Sequence, residues 1–97
     1  MYIVVSRWEV IPGMEEEFES RGRAVRETIR SQPGVDLVQG FHSESGGVVA
    51  IIGYDSKDAY DRVVNAVDGP FNKAVAAHRL EECARWVGSD RGESIAD

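Results

Sequence analysis

The chain has 97 residues, the size of one domain, which excludes a two-domain enzyme and leaves little apolar area for a deep enclosed site. Its 17 acidic against 11 basic residues give a formal charge of −6, which argues against a nucleic-acid surface built on clustered Lys and Arg. The 42% apolar content is ordinary for a globular domain, and no apolar run approaches the roughly 18 residues a membrane span needs, so neither nucleic acid nor membrane is expected as a partner.

The chain opens Met1-Tyr2-Ile3-Val4-Val5-Ser6, which reads as a strand and lacks the basic start and small-residue cleavage site of a secretory leader; a cytoplasmic location is expected. Residues Tyr2 to Val10 form the first strand and end at the turn signal Pro12-Gly13. From Met14 the period changes. Met14, Phe18, Gly22, Val25 and Ile29 make one stripe of a helix predicted over residues 13 to 31, with Glu15, Glu16 and Glu17 at its start and Arg26 and Arg30 near its end, the charge order that complements the helix dipole. Pro33-Gly34 stops it.

Val35 to Ser43 and Val48 to Tyr54 are strand-like runs around Glu44-Ser45-Gly46-Gly47, a hairpin. The second run is apolar on both sides, the pattern of a strand covered on both faces. Ser56 can cap a second helix with Tyr60, Val63, Val64 and Val67 as its apolar side, broken by Asp68-Gly69-Pro70. Pro70 suits the first position of a further short helix that carries Phe71, Ala74, Val75 and His78 on one side. Leu80 to Val87 is expected to be the last strand. The domain is then residues 1–88, with the small, polar residues 89–97 as a disordered tail. The single Cys83 excludes an intrachain disulfide and reads as a small buried apolar residue.

The order β-α-β-β-α-β predicts an α+β, ferredoxin-like sandwich: a four-stranded antiparallel sheet with the helices on one face. The other face would then carry Val, Ile, Leu, Phe and Trp side chains into water, more than a soluble monomer usually exposes. A second copy packed sheet to sheet removes the exposure, and a two-fold homodimer is expected.

With those segments in place, the chain resembles the antibiotic biosynthesis monooxygenase family, whose members are dimeric α+β barrels. The resemblance covers residues 2 to 88. It is carried by Ser6-Arg7-Trp8-Glu9-Val10-Ile11-Pro12-Gly13-Met14-Glu15-Glu16-Glu17-Phe18, by Pro33-Gly34-Val35, by Tyr54-Asp55-Ser56-Lys57-Asp58-Ala59-Tyr60, and by Phe71 followed by Ala77-His78. The family includes cofactor-independent oxygenases of aromatic polyketides, quinol oxygenases and haem-degrading enzymes. In the haem-degrading branch an Asn on strand one, a Trp on helix two and a His ligand form the site. Those positions correspond here to Ser6, to Val63, and to His78 or, by strict spacing from Phe71, to Val75.

His78 is the first candidate for chemistry. An imidazole titrates near neutrality and can take a proton from a substrate, and the helical stripe of Phe71, Ala74 and Val75 should turn it toward the sheet. The structural alternative is a helix-end residue near the negative end of the dipole. His42 reads as a strand-end surface residue. Trp8, Trp86, Phe41 and Tyr60 could wall an aromatic ligand or simply pack, and Arg7 and Arg85 could hold an anion or form ion pairs. Two distant His and one Cys do not make a metal site.

The resemblance and these residues together imply a cofactor-independent monooxygenase acting on a small phenolic or quinol-like aromatic substrate. His78 would be the base, Ser6 or Arg7 would stabilise the oxyanion, and Trp8, Tyr60, Val63, Phe71 and Val75 would line the substrate. The alternatives are a haem-binding or haem-degrading protein that uses His78, and a ligand-binding dimer without chemistry.

Overall fold

The computed structural model describes residues 1–95. Strand β1 (Tyr2–Val10) leads into α1 (Glu15–Arg30), then β2 (Val35–His42), β3 (Val48–Tyr54), α2 (Lys57–Tyr60) with a π-helical turn at Asp61–Asn65, α3 (Pro70–Ala77), a 3₁₀ turn at Leu80–Glu82 and β4 (Ala84–Glu93). The strands form one antiparallel sheet in the order β2-β3-β1-β4. This is the expected ferredoxin-like α+β architecture.

Helix α1 buries Phe18, Gly22, Val25 and Ile29, which is the stripe read from its period, and its first turn holds three glutamates. Ser56 caps α2 by accepting from the Ala59 amide at 3.2 Å, and Pro70 opens α3. Between α1 and β2, Gly34 has φ +86, and a Cβ there would sit 2.8 Å from the Ala59 side chain. Only glycine lets this turn pass so close to α2. The Arg62 guanidinium donates to the Pro33 carbonyl at 2.7 Å and closes the same contact.

Alternation sorts the sheet residues onto two faces. Tyr2, Val4, Ser6 and Trp8 of β1 share the helix-covered face with Val48, Ala50, Ile52 and Tyr54 of β3. Ile3, Val5 and Arg7 share the opposite face with Val49, Ile51 and Gly53. The core lies under the helices and joins Tyr2, Val4, Tyr54, Tyr60 and Val63 to the α1 stripe.

Three expectations are corrected. The second helix is short and becomes a π-helical turn, which leaves Val67 85% exposed outside its apolar side. The last strand starts at Ala84, because Leu80 to Glu82 form a 3₁₀ turn. Residues 89–93, expected in the tail, are ladder partners of β1: Ser89 pairs with Ser6, Arg91 with Val4 and Glu93 with Tyr2. The end of the expected tail, residues 96–97, lies outside the described residues.

Candidate active site

The helix-covered face carries one row of small residues across the sheet, Gly40 of β2, Ala50 of β3, Ser6 of β1 and Ser89 of β4, each opposite the next. Ser6 and Ser89 share a hydrogen bond, with their hydroxyl oxygens 2.8 Å apart. Register shifts between Arg7 and Trp8: Gly88 faces Arg7 but Trp86 faces Trp8, so Val87 is the extra residue of a bulge. The bulge brings the Trp86 indole to Ser89, and Nε1 donates to the Ser89 hydroxyl at 3.0 Å.

On one side of the serine pair stand the two tryptophans, which with Val10, Pro12 and Ala84 wall an open hollow of about 560 Å³. Trp8 also packs on Phe18 with ring centroids 6.4 Å apart. On the other side Arg91 lies 5.8 Å from the centroid of the Tyr60 ring, a cation–π contact, and Tyr60 packs on Tyr2 at 5.3 Å. Arg91 forms no ion pair among the described residues. Two hydroxyls, an indole N–H, flat apolar walls and a cation therefore meet along one edge of the helix-covered face, beside a π-helical turn of the kind often found at functional sites.

The expected site residues divide. Ser6, Trp8 and Tyr60 fall on or over this strip. Val63 is fully buried, and Phe71 and Val75 are partly buried against the core. Arg7 points to the open face, opposite Gly88. Arg85 on the same face is ion-paired with Glu9.

His78 does not turn toward the sheet. It follows the last turn of α3, is exposed, and lines a shallow groove with Thr28, Gln32, Lys73 and Ala77; no lining residue comes from the sheet. The helical stripe ends one residue too soon: Ala77 is the last helical position, and the chain turns at His78 into the left-handed Arg79 at φ 54. A haem held by His78 would meet that groove, whose lining holds no aromatic side chain, so the residues present do not fit the group. His42, read as a surface residue, is exposed and lies 3.4 Å from Glu19 of α1.

Two further titratable groups are shifted by their surroundings, and one of them, Asp61, also feels the charge of Arg91. Burial pushes the Cys83 thiol up, and it donates to the Leu80 carbonyl at 3.2 Å. Hydrogen bonds from Asn65 and Lys57 hold Asp61 below the usual carboxylate range. Among the described residues no cluster of His, Cys, Asp and Glu is placed to hold a metal ion, and no helix is long and apolar enough to cross a membrane.

The sequence profile of the antibiotic biosynthesis monooxygenases matches residues 1–78, four-fifths of the chain. The chain belongs to the antibiotic biosynthesis monooxygenase family. Solved structures agree on the fold. SnoaB of Streptomyces nogalater, described as a cofactor-independent oxygenase, superposes with TM-score 0.78 at 20% identity, over 99% of this chain and 94% of its own. A Mycobacterium tuberculosis protein gives TM-score 0.79 at 17% identity, over 99% and 96%. A Pseudomonas aeruginosa protein gives 0.76 at 18%, over 98% and 94%. No curated protein matches the chain in sequence. As a monooxygenase-family domain the chain runs past the matched segment, and β4, which carries Trp86, Ser89 and Arg91, lies wholly beyond residue 78.

Sequence reasoning missed Ser89 and Arg91 because β4 is rich in residues that strands avoid: Gly88, Ser89, Asp90 and Gly92. One signal was present. Trp86 and Arg91 flank Ser89 as Trp8 and Val4 flank Ser6, once the bulged residue is left out of the count.

Proposed function

We propose that this family member is a cofactor-independent monooxygenase of a small phenolic or quinol-like aromatic substrate, and that it works as a homodimer. The observation that carries the reading is the Ser6–Ser89 hydroxyl pair set between aromatic walls and the Arg91 cation, in a family whose structural neighbours include a cofactor-independent oxygenase.

An electron-rich phenol or quinol reduces oxygen once it is an anion, so the protein needs to bind the ring, favour its ionised form and hold it for oxygen. Trp8, Trp86 and Tyr60 bind the ring. Ser6 donates to the oxyanion, with Arg91 supplying positive potential from the neighbouring row. The proton leaves to water at the open rim beside Trp86 and Ser89, both exposed. In the net reaction the substrate gives up two hydrogens and gains one oxygen atom, and the other oxygen atom leaves as water.

The dimer is supported by the open face, where Ile3, Val5, Leu37 and Ile51 are partly exposed and Phe41 is 51% exposed. On that face Gly88 and Gly92 leave a groove of about 610 Å³ between β1 and β4 that a second copy can fill.

The test is oxygen uptake by chelator-treated, cofactor-free protein with a panel of benzo- and naphthohydroquinones, against each quinol's own oxidation in buffer. Uptake above the buffer rate, reduced in Ser6→Ala, is expected. Rates equal to the buffer rate across the panel overturn the proposal.

A further inference from the structure

We propose that Ser89 and Trp86 are positioning residues of this site: together they fix the Ser6 hydroxyl as a hydrogen-bond donor to the oxygen of a bound phenolate. The inference rests on the proposed function only for the class of ligand.

The direction of donation follows from the partners. Indole Nε1 can only donate, so the Ser89 oxygen accepts from Trp86 at 3.0 Å. A single hydrogen lies between the two serine oxygens at 2.8 Å. If Ser6 supplied it, Ser89 would accept twice and its own proton, not that of Ser6, would point outward. If Ser89 supplies it, donation runs one way, from Trp86 to Ser89 to Ser6, and each bond polarises the next. The Ser6 proton is then left to point outward. An anion beside Ser6 selects this second arrangement, because it accepts that proton.

The surroundings suit such an oxygen. Ser6 is only half-buried, and its neighbours across the sheet, Ala50 and then Gly40, are small. Arg91 stands in the adjacent row. The bulge at Val87 is what makes the relay geometrically available, since it sets Trp86 and Ser89 within reach of each other.

The probe is 4-nitrophenol, whose visible band reports its ionised form. The bound phenol is expected to titrate about one unit below the free phenol, a tenfold preference for the anion. Ser6→Ala should abolish the shift. Ser89→Ala and Trp86→Phe should each remove half of it or more, while Ser89→Thr, which keeps a hydroxyl, should retain it. Binding of 4-nitroanisole, which has the ring but no ionisable proton, should change less than about threefold in Ser89→Ala and Ser89→Thr, which separates donation from packing.

Bound 4-nitrophenol that titrates like the free phenol, equal behaviour of Ser89→Ala and Ser89→Thr, or no binding of either probe overturns the relay. A shifted, Ser89-dependent titration without oxygen uptake from any quinol supports the relay and overturns the proposed reaction. Oxygen uptake without the shift does the reverse.

Discussion

Trp86 and Ser89 stand three positions apart on one strand, yet the indole nitrogen of the first donates to the hydroxyl of the second at 3.0 Å. In a regular strand, residues three apart point to opposite faces. The extra residue Val87 resets the alternation and places both over the helix-covered side, opposite Trp8 and Ser6. The candidate site depends on that one irregularity.

The open face gives a prediction about assembly. Ile51 is partly exposed at the middle of β3, on the face away from the helices. Ile51→Asp places a charge where a sheet-to-sheet interface would remove it from water, a change that such an interface does not tolerate. The variant should be monomeric and still folded by circular dichroism, while the parent sediments as a dimer at micromolar concentration. A monomeric parent would sink the dimer.

The position of His78 predicts that it is dispensable for chemistry. Its groove between α1 and α3 shares no residue with the serine strip. His78→Ala should leave oxygen uptake with any accepted quinol within about twofold, whereas a loss of about 10²-fold, the usual contribution of a general base, would return the role to His78.

Ile29 tests the core beneath α1. It is 1% exposed and ends the buried stripe of that helix. Ile29→Ala should cost about 3 kcal/mol and lower the melting temperature by roughly 15 °C, because the rigid surroundings close only part of the cavity. A change below about 1 kcal/mol in denaturant unfolding would show that α1 packs differently.

Tyr54 gives a prediction in pH. It is fully buried, and its hydroxyl has no hydrogen-bond partner among the described residues; burial first, and then the neighbouring Tyr60, push its pKa well above the ordinary phenol value. The rings of Tyr54 and Tyr60 meet edge to face at 5.5 Å. Above about pH 10 the unfolded chain releases this proton while the folded chain keeps it, so the unfolded state binds fewer protons and stability falls as pH rises. Tyr54→Phe should remove a slope of about 1.4 kcal/mol per pH unit above that point. At neutral pH it should stabilise by about 1 kcal/mol, since an unpaired buried hydroxyl is lost. Urea unfolding of both proteins at neutral and alkaline pH measures both effects, and a neutral-pH loss above about 1 kcal/mol would mean the hydroxyl is bonded after all.

Much of the fold was legible because its signals are local. The α1 stripe from Phe18 to Ile29, the Ser56 cap and Pro70 at a helix start each act within a few residues of themselves. The site was legible only in part. Ser6, Trp8 and Tyr60 could be picked out by type and by resemblance, whereas Ser89 and Arg91 belong to a segment whose composition argues against a strand. That segment is a strand because β1 offers it a free edge, a partner about eighty residues away in sequence.

The sequence by itself determined the element order, the helix-facing stripe and hence the ferredoxin-like sandwich, because periodicity and turn residues specify which faces must be buried. It also carried the family, whose profile spans residues 1–78. Only the tertiary structure decided where β4 runs, that Ser6 and not Arg7 faces the helices, and that the chain leaves α3 at His78 before the imidazole can reach the sheet. Those are matters of register and chain direction. They depend on pairing between distant segments, and a single extra residue, Val87, is enough to change which side chains meet.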